Sequence, residues 1–218
     1  MQGLIKVILN LFSRKFLIKI SLILKPFFEL IFRGNRFVDP INNKSYSYFF
    51  PYGYNKLRKN ALSPGTLSLE RHRLLWIFLE KETDFFNTEN KILHIAPEQC
   101  FYKNFKKNFE SYTTCDLNSP IAEIRADVCN LPFDENEFDF VLCNHVLEHV
   151  YDDEKAMKEI YRVLKHKGKA ILQVPVDNTL EKTIDGRDIS DQNLRNKLFG
   201  QYDHLRLYGP DYYDKLIK

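Results

Sequence analysis

Three neighbouring stretches decide the fold: CDLN at residues 115–118, ADVCNLPFD at 126–134 and FDFVLCNHVLEH at 138–149. Each stretch marks the end of a short predicted strand at a polar side chain, namely Asp116, Asp127 and Asn144. Ligands of an open parallel sheet lie at the carboxyl ends of its strands. Carboxylate oxygens at these ends can accept hydrogen bonds from ribose hydroxyls and from an adenine amino group. The pattern therefore predicts an α/β fold with a mostly parallel sheet and a nucleoside pocket at its edge.

The flanking sequence supports alternating strands and helices. We expect strands over residues 91–95, 112–115, 138–143 and 169–175, and helices over 68–82, 99–109, 152–166 and 211–218. Ser68 is the expected N-cap of the first of these helices. Residues 183–192 are polar and contain Gly186, which predicts a loop over the cleft.

Composition and charge limit the classes of function. The 218 residues are 44% hydrophobic and 28% charged, which is typical of a folded globule. The net charge is +3, yet residues 1–36 alone hold seven basic side chains against Glu29, so the rest is slightly acidic. We therefore expect no nucleic-acid partner. The four cysteines form no Cys-x-x-Cys pair, which favours buried free thiols of a cytoplasmic protein.

Residues 1–36 form a basic, apolar segment of their own. The longest charge-free run within its apolar part, residues 7–13, is far shorter than the roughly 20 residues that span a membrane. A basic amphipathic helix can lie in the headgroup region of an anionic membrane. Two interpretations stay open: a peripheral attachment at the inner face of the membrane, or a helix packed on the domain or on a partner chain.

The order of motifs from about Lys91 to Pro175 resembles class I S-adenosylmethionine-dependent methyltransferases with the pattern "aD...lPf...sFD.v....vleHv". The resemblance implies a Rossmann-like sheet, the cofactor S-adenosylmethionine, and methyl transfer to an oxygen or nitrogen of a small-molecule or glycan acceptor. That family continues into two antiparallel strands that this sequence does not show, so we expect a sheet without its last strands.

The resemblance also implies the cofactor contacts. The residues are His94, Ala96, Glu98, Asp116, Leu117, Asp127, Val128, Asn144 and His145. Asp116 would bind the ribose and Asp127 the adenine, although both also suit turn caps. The sequence departs from the family in its first loop, HIAPEQC at residues 94–100, which has no glycine. There Ala96 takes a glycine position, His94 replaces the usual acid, and Glu98 is the candidate contact for the methionine amino group.

Two segments supply candidate catalytic residues. FGQYDHLRLY at 199–208 resembles a motif that related methyltransferases place near the acceptor, with Asp203 orienting His204 as proton acceptor. His149 is a second candidate base, or a histidine that only packs. His145, Glu148 and His149 also spell an order seen in zinc proteases. No third ligand is evident from the sequence, so we expect no metal there.

Residues 37–67 resemble a leader in which two Cys-x-x-Cys knuckles precede SLERHRLLW, here residues 68–76. The knuckle positions are Asp39, Asn42, Ser63 and Thr66, which offer no thiolate, so we expect no structural zinc. An ordinary aromatic-rich loop is the alternative. The predicted organisation is a basic helical segment (1–36), a small aromatic-rich lobe (37–67) and a methyltransferase domain (68–218). The alternative function is a catalytically inactive nucleoside-binding or scaffold protein at the membrane surface.

Overall fold

The computed structural model describes residues 24–53 and 57–217. The chain divides into two compact units, Met1–Thr83 and Asp84–Lys218, and each is described by itself. Most of the predicted N-terminal helix, residues 1–23, lies outside the described residues. Within the described ranges, no helix has both the length and the apolar character needed to cross a bilayer.

The first unit consists of two small hairpins and one longer helix. Residues 24–31 are helical and lead into strand β1 (Arg33–Asp39), which pairs antiparallel with β2 (Lys44–Tyr46). A second antiparallel pair follows, β3 (Phe50–Tyr52) with β4 (Arg58–Leu62), and then helix α1 (Glu70–Lys81).

Buried hydrogen bonds hold the centre of this unit together. Asp39 is fully buried, and its carboxylate accepts from the hydroxyl of Thr66 at 2.5 Å and from the backbone N–H of Ile41 at 3.0 Å. Ser63 Oγ accepts from the backbone N–H groups of Gly65 and Thr66. Two positions that the sequence places in separate motifs, Asp39 and Thr66, thus meet directly through a hydrogen bond.

The expected N-cap of α1 was wrong. The helix begins at Glu70 with Leu69 as its N-cap, and the ring Nδ1 of His72 accepts the Leu69 N–H at 3.1 Å. Ser68 Oγ instead lies 2.7 Å from the hydroxyl oxygen of Thr66, within hydrogen-bond distance. Local sequence rules assign Ser68 to the N-cap of α1. In the structure its side chain belongs to a buried polar network instead.

The second unit alternates strands and helices, as predicted. Its elements are β5 (Ile92–Ile95), α2 (Gln99–Asn108), β6 (Tyr112–Asp116), β7 (Ile124–Arg125), β8 (Phe138–Asn144), a 3₁₀ turn (Leu147–His149), α3 (Asp153–Val163), β9 (Leu164–Gln173), β10 (Ile184–Asp185), α4 (Gln192–Phe199), β11 (Arg206–Leu207) and α5 (Tyr212–Ile217).

Five of these strands form one sheet in the order β7-β6-β5-β8-β9, and every pairing is parallel. Fully buried residues of the central strands, such as Leu93 and Val141, pack in one core with Ile160 and Val163 of α3. The sheet confirms the predicted Rossmann-like α/β fold class.

The junction of α3 and β9 differs most from the sequence prediction. Helix α3 ends at Val163, and β9 already begins at Leu164, opposite Phe138. The register then shifts so that Lys169 lies opposite Phe140, and Lys167 within the irregularity has φ +68°. Pairing with β8 has therefore overridden the local helical pattern that runs on to residue 166.

The predicted loop 183–192 also contains a strand. β10 pairs antiparallel with β11, with Ile184 opposite Leu207 and Asp185 opposite Arg206. Each strand is two residues long and depends on a partner distant in sequence, so local periodicity carries no signal for it.

Candidate functional site

Three strand ends meet at one edge of the parallel sheet. Ile95 of the central strand β5 lies opposite Cys115 of β6 on one side and Cys143 of β8 on the other. The residues that follow, Ala96, Asp116 and Asn144, therefore stand at the same edge. This is where open parallel sheets bind ligands.

Asp116 holds a turn of the backbone and also lines a cavity. Its Oδ1 accepts from the backbone N–H groups of Asn118 at 2.6 Å and Ser119 at 2.5 Å, so the turn-cap role suggested by the sequence is present. Both of these hydrogen bonds use the same oxygen, and no bond to the other one is found among the residues that the structure describes. A cavity of about 250 Å³ opens beside Asp116, lined also by Leu117, which is 49% exposed.

The glycine-free loop after β5 contains a backbone conformation that favours glycine. Ala96 has φ +52°, in the left-handed region that L-residues seldom adopt. Its N–H donates to the carbonyl of Cys115 at 2.9 Å, which ties the loop to β6. The chain thus follows a glycine-like path at this position with an alanine.

His94 and Glu98 form a pair at the start of the same loop. His94 is fully buried, with Nδ1 2.8 Å from the hydroxyl of Tyr112 and Nε2 2.5 Å from Oε2 of Glu98. Burial raises the pKa of Tyr112, so that its hydroxyl keeps its proton. The structure places His94 inside the unit, where it supports Glu98 and the loop.

Asn144 is the most unusual side chain at the sheet edge. It is 3% exposed, and neither its amide nitrogen nor its amide oxygen has a hydrogen-bond partner among the described residues. A buried amide without partners costs about 1–3 kcal/mol. A ligand at this edge would remove that cost. His145 follows with φ +54°, another left-handed residue at the same strand end.

Asp127 and Val128 lie beyond the short outer strand β7. Ala126 N–H donates to the carbonyl of Asp116 at 3.2 Å, so this segment runs beside the end of β6. Asp127 is exposed and its Oδ1 accepts from the N–H of Cys129 at 2.8 Å, while Val128 is buried. The turn-forming alternative for Asp127 is therefore present.

The three predicted catalytic residues come together. The rings of His149 and His204 lie 4.8 Å apart at 81°. His149 Nδ1 is 3.1 Å from the backbone oxygen of Asp203 and 3.6 Å from its carboxylate. The expected pairing was thus wrong in one respect, because Asp203 contacts His149, whereas His204 Nδ1 is 3.1 Å from the carbonyl of Phe199.

The two histidines differ in their burial and in their electrostatic surroundings. Burial lowers the pKa of His204, and the neighbouring His149 lowers it further, so His204 is a neutral imidazole at neutral pH. His149 is less buried, with 31% of its side chain exposed. The pair therefore contains one enclosed neutral ring and one ring that solvent reaches.

Two buried residues beside these histidines, Glu148 and Arg206, have roles that the sequence did not assign. Glu148 is 1% exposed, with Oε1 3.3 Å from His145 Nδ1 and Oε2 without a hydrogen-bond partner among the described residues. Arg206 donates to the backbone oxygens of Leu147, Val150 and Tyr151. These bonds fix the 3₁₀ turn against the segment that carries His204, a contact that only the tertiary structure creates.

Sequence comparison identifies the region that builds this sheet edge. Residues 90–172 match the family described as "Methyltransferase domain". The 2-phytyl-1,4-naphtoquinone methyltransferase of Nostoc punctiforme is 44% identical over 52 residues, 24% of this chain and 23% of that protein. The matched segments span about a quarter of the length of the curated relatives.

Solved structures share the fold. The YcgJ protein of Bacillus subtilis superposes with a TM-score of 0.50 at 19% identity, covering 67% of this chain and 66% of that one. The [4+2]-cyclase SpnF gives a TM-score of 0.53 at 15% identity, covering 82% of this chain and 66% of that one. At such low identity the likeness concerns the fold alone.

Proposed function

We propose that the protein transfers a methyl group from S-adenosylmethionine to an oxygen or nitrogen nucleophile, because residues 90–172 match the family described as "Methyltransferase domain". The acceptor is a small molecule or a glycan, and nucleic acid is not the substrate. The slightly acidic character of residues 37–218 supports the exclusion of nucleic acid.

The observation that carries this proposal is the buried, unpartnered amide of Asn144 at the same sheet edge as Asp116. The residues present fit the cofactor. Asp116 would accept from the ribose hydroxyls, Asp127 and Val128 would flank the adenine, and Asn144 and Glu98 would meet the methionine part. Bound S-adenosylmethionine supplies an electrophilic methyl on its sulfonium, and holding the acceptor in line with it is the main catalytic task.

Methylation of a hydroxyl or amine releases the proton of that group. The carboxyl end of β8 leads into the turn that carries His149, and the ring beside it, neutral His204, has the protonation state that a base needs. We assign proton acceptance to this pair, with His204 as base and Asp203 holding His149. Bound S-adenosylmethionine would supply the methyl group and leave as S-adenosylhomocysteine, and the imidazole of His204 would take the proton that the acceptor oxygen or nitrogen gives up.

The proposal is tested by calorimetry on the full chain with S-adenosylmethionine and S-adenosylhomocysteine. We expect both ligands to bind at the same single site. The heat of binding should disappear when Asp116 and Asn144 are both changed to alanine. Circular dichroism of the double variant shows whether it is folded. Failure of the folded wild-type protein to bind either nucleoside would contradict the proposal.

A second candidate is a catalytically inactive nucleoside-binding or scaffold protein. It is favoured by the first loop, where a strained Ala96 replaces glycine. Binding of S-adenosylhomocysteine without methyl transfer to any compound of a hydroxyl and amine acceptor panel supports this candidate. Transfer of labelled methyl to one panel member excludes it.

A further inference from the structure

Glu148, His149 and His204 bring three ligand-type side chains to one point of the second unit. One carboxylate oxygen and one ring nitrogen from each histidine all lie within 4.8 Å of one another. Glu148 and His149 come from the 3₁₀ turn after β8, whereas His204 comes from the segment before β11. The sequence alone shows no third ligand for Glu148 and His149, and His204 supplies one, whereas His145 is not a member of this group.

The hydrogen bonds of the two rings determine which nitrogen is available. Nδ1 of His204 is 3.1 Å from the carbonyl of Phe199, and Nδ1 of His149 is 3.1 Å from the carbonyl of Asp203. A carbonyl oxygen can only accept, so each ring donates from Nδ1, which leaves Nε2 as the nitrogen that can hold an ion. Metal-binding histidines almost always have their second nitrogen donating to a carbonyl or carboxylate in this way.

Glu148 supplies a third observation, independent of the rings. Its side chain is 1% exposed, and Oε2 has no hydrogen-bond partner within the described parts of the chain. A buried carboxylate oxygen without a partner is costly unless a cation or donor joins it. The Glu148 carbonyl accepts from Leu205 N–H at 2.8 Å, so the backbone holds this residue beside His204.

We propose that Glu148, His149 and His204 form a binding site for a divalent transition-metal ion, with Zn²⁺ as the best match. Two imidazoles and one carboxylate are a ligand set of catalytic zinc sites, which keep one coordination position open. Ligand atoms around tetrahedral zinc lie about 3.3 Å apart, so the side chains close by a small rotation. His149 is the partly exposed member and provides the route for entry.

The open position extends the proposed function, and this part of the inference rests on it. A hydroxyl acceptor bound to the ion would lose its proton at lower pH, because a bound cation stabilises the oxyanion. The same lone pairs cannot accept a proton while they bind an ion. Metal binding therefore replaces direct proton acceptance by the histidines, and it departs from the expectation of a metal-free chain.

The test is calorimetry of the full chain, freed of metal by chelator and dialysis, titrated with ZnCl₂ and separately with MgCl₂. We expect one Zn²⁺ site and a much weaker response to Mg²⁺, which prefers oxygen ligands. Glu148→Gln and His204→Ala should each weaken Zn²⁺ binding by about tenfold or more. His166→Ala removes an exposed histidine of β9 and is the matched control, with unchanged affinity expected.

Thermal melting of each variant, with and without Zn²⁺, separates loss of the site from loss of the fold. We expect Zn²⁺ to raise the melting temperature of the wild-type protein and of His166→Ala, and to leave folded Glu148→Gln unchanged. No Zn²⁺ binding by the wild type, or equal binding by folded Glu148→Gln, overturns the site. S-adenosylhomocysteine titrations run in parallel, so failure of the proposed function is seen separately from failure of the metal site.

Discussion

Asp116 combines two tasks in one carboxylate. Oδ1 holds the turn through the N–H groups of Asn118 and Ser119, and the side chain also lines the cavity at the end of β6. Ala96 and Asn144, at the ends of the next two strands of the sheet, are equally unusual for their surroundings, one in its backbone and one in its unpartnered amide. Residues that break local rules in this way are expected at functional sites.

Asp116→Ala should weaken S-adenosylhomocysteine binding by about 1.5 kcal/mol or more, roughly tenfold in Kd, because a charged hydrogen-bond partner is lost. Calorimetry measures the change. Asp116→Asn keeps an oxygen for the turn and separates the loss of charge from the loss of the turn. Asp134→Ala, at an exposed position, is the control. Equal affinity of folded Asp116→Ala and the wild type would rule out the ribose contact.

Ala96→Gly should stabilise the protein by roughly 1 kcal/mol, because an L-residue in the left-handed region is strained and glycine is not. Urea unfolding of the variant measures the difference. Ala126→Gly is the matched control, since Ala126 is buried but is not among the residues with positive φ, and that change should destabilise. A loss of stability in Ala96→Gly would contradict the strain argument.

At the scale of elements, the start of helix α3 is where this helix contacts the segment from β11 to α5. The N-cap Asp152 accepts from Lys155 N–H at 2.9 Å. The next residue, Asp153, is buried and accepts from the hydroxyl of Tyr208 at 2.8 Å and from Lys215 at 3.2 Å, with Arg206 Nε at 3.8 Å. One carboxylate therefore links α3 to β11 and α5.

Asp153→Asn should cost about 3 kcal/mol of stability at neutral pH, because Arg206 would be left as a buried cation without its counter-ion. Burial alone would raise the pKa of Asp153, but the Tyr208 hydroxyl, Arg206 and Lys215 outweigh it and lower the pKa. The wild-type contribution is therefore present above the unfolded pKa of about 4 and is lost as the pH falls through the lower folded pKa.

Chemical denaturation between about pH 2 and pH 7 tests this prediction. The asparagine variant should be less stable at neutral pH and should lose less stability on acidification than the wild type. Asp214→Asn changes an exposed carboxylate of α5 and should match the wild type. If Asp153→Asn retained the full acid sensitivity of the wild type, another carboxylate would have to be responsible.

At the scale of the whole molecule, charge and apolar surface are unevenly distributed along the chain. Residues 1–36 hold seven of its 32 basic side chains and only Glu29 as an acid. In the helical residues 24–31, Phe27 is 58% exposed and Leu30 is 72% exposed. A basic segment with exposed apolar side chains has the two features of an interfacial helix, so peripheral membrane attachment stays a prediction beside the alternative of a packed helix.

The full chain should therefore bind vesicles that contain phosphatidylserine, and added salt should weaken the binding. Each basic residue near an anionic surface contributes about 1 kcal/mol. A full-length variant with Lys6, Arg14, Lys15 and Lys19 changed to glutamine should co-sediment less. Neutral phosphatidylcholine vesicles are the control surface. Equal partitioning of the variant and the wild type would favour the alternative, a helix packed on the domain or on a partner.

The sequence by itself determined the parallel α/β architecture and most of the sheet edge. The short predicted strands that end at Asp116, Asp127 or Asn144 are local signals, and a parallel sheet needs its strands to be buried. The four main strands consequently appear where the pattern predicts them, with shifted bounds that are largest at the start of β9. The glycine-free loop was also visible in the sequence.

Only the tertiary structure decided which distant side chains meet. It joined His204 to Glu148 and His149, placed Asp203 against His149, and paired β10 with β11. It also ended α3 at Val163 in favour of pairing between β9 and β8. Such contacts close long loops, and their stability depends on the packing of the whole domain, so neither periodicity nor spacing along the chain encodes them.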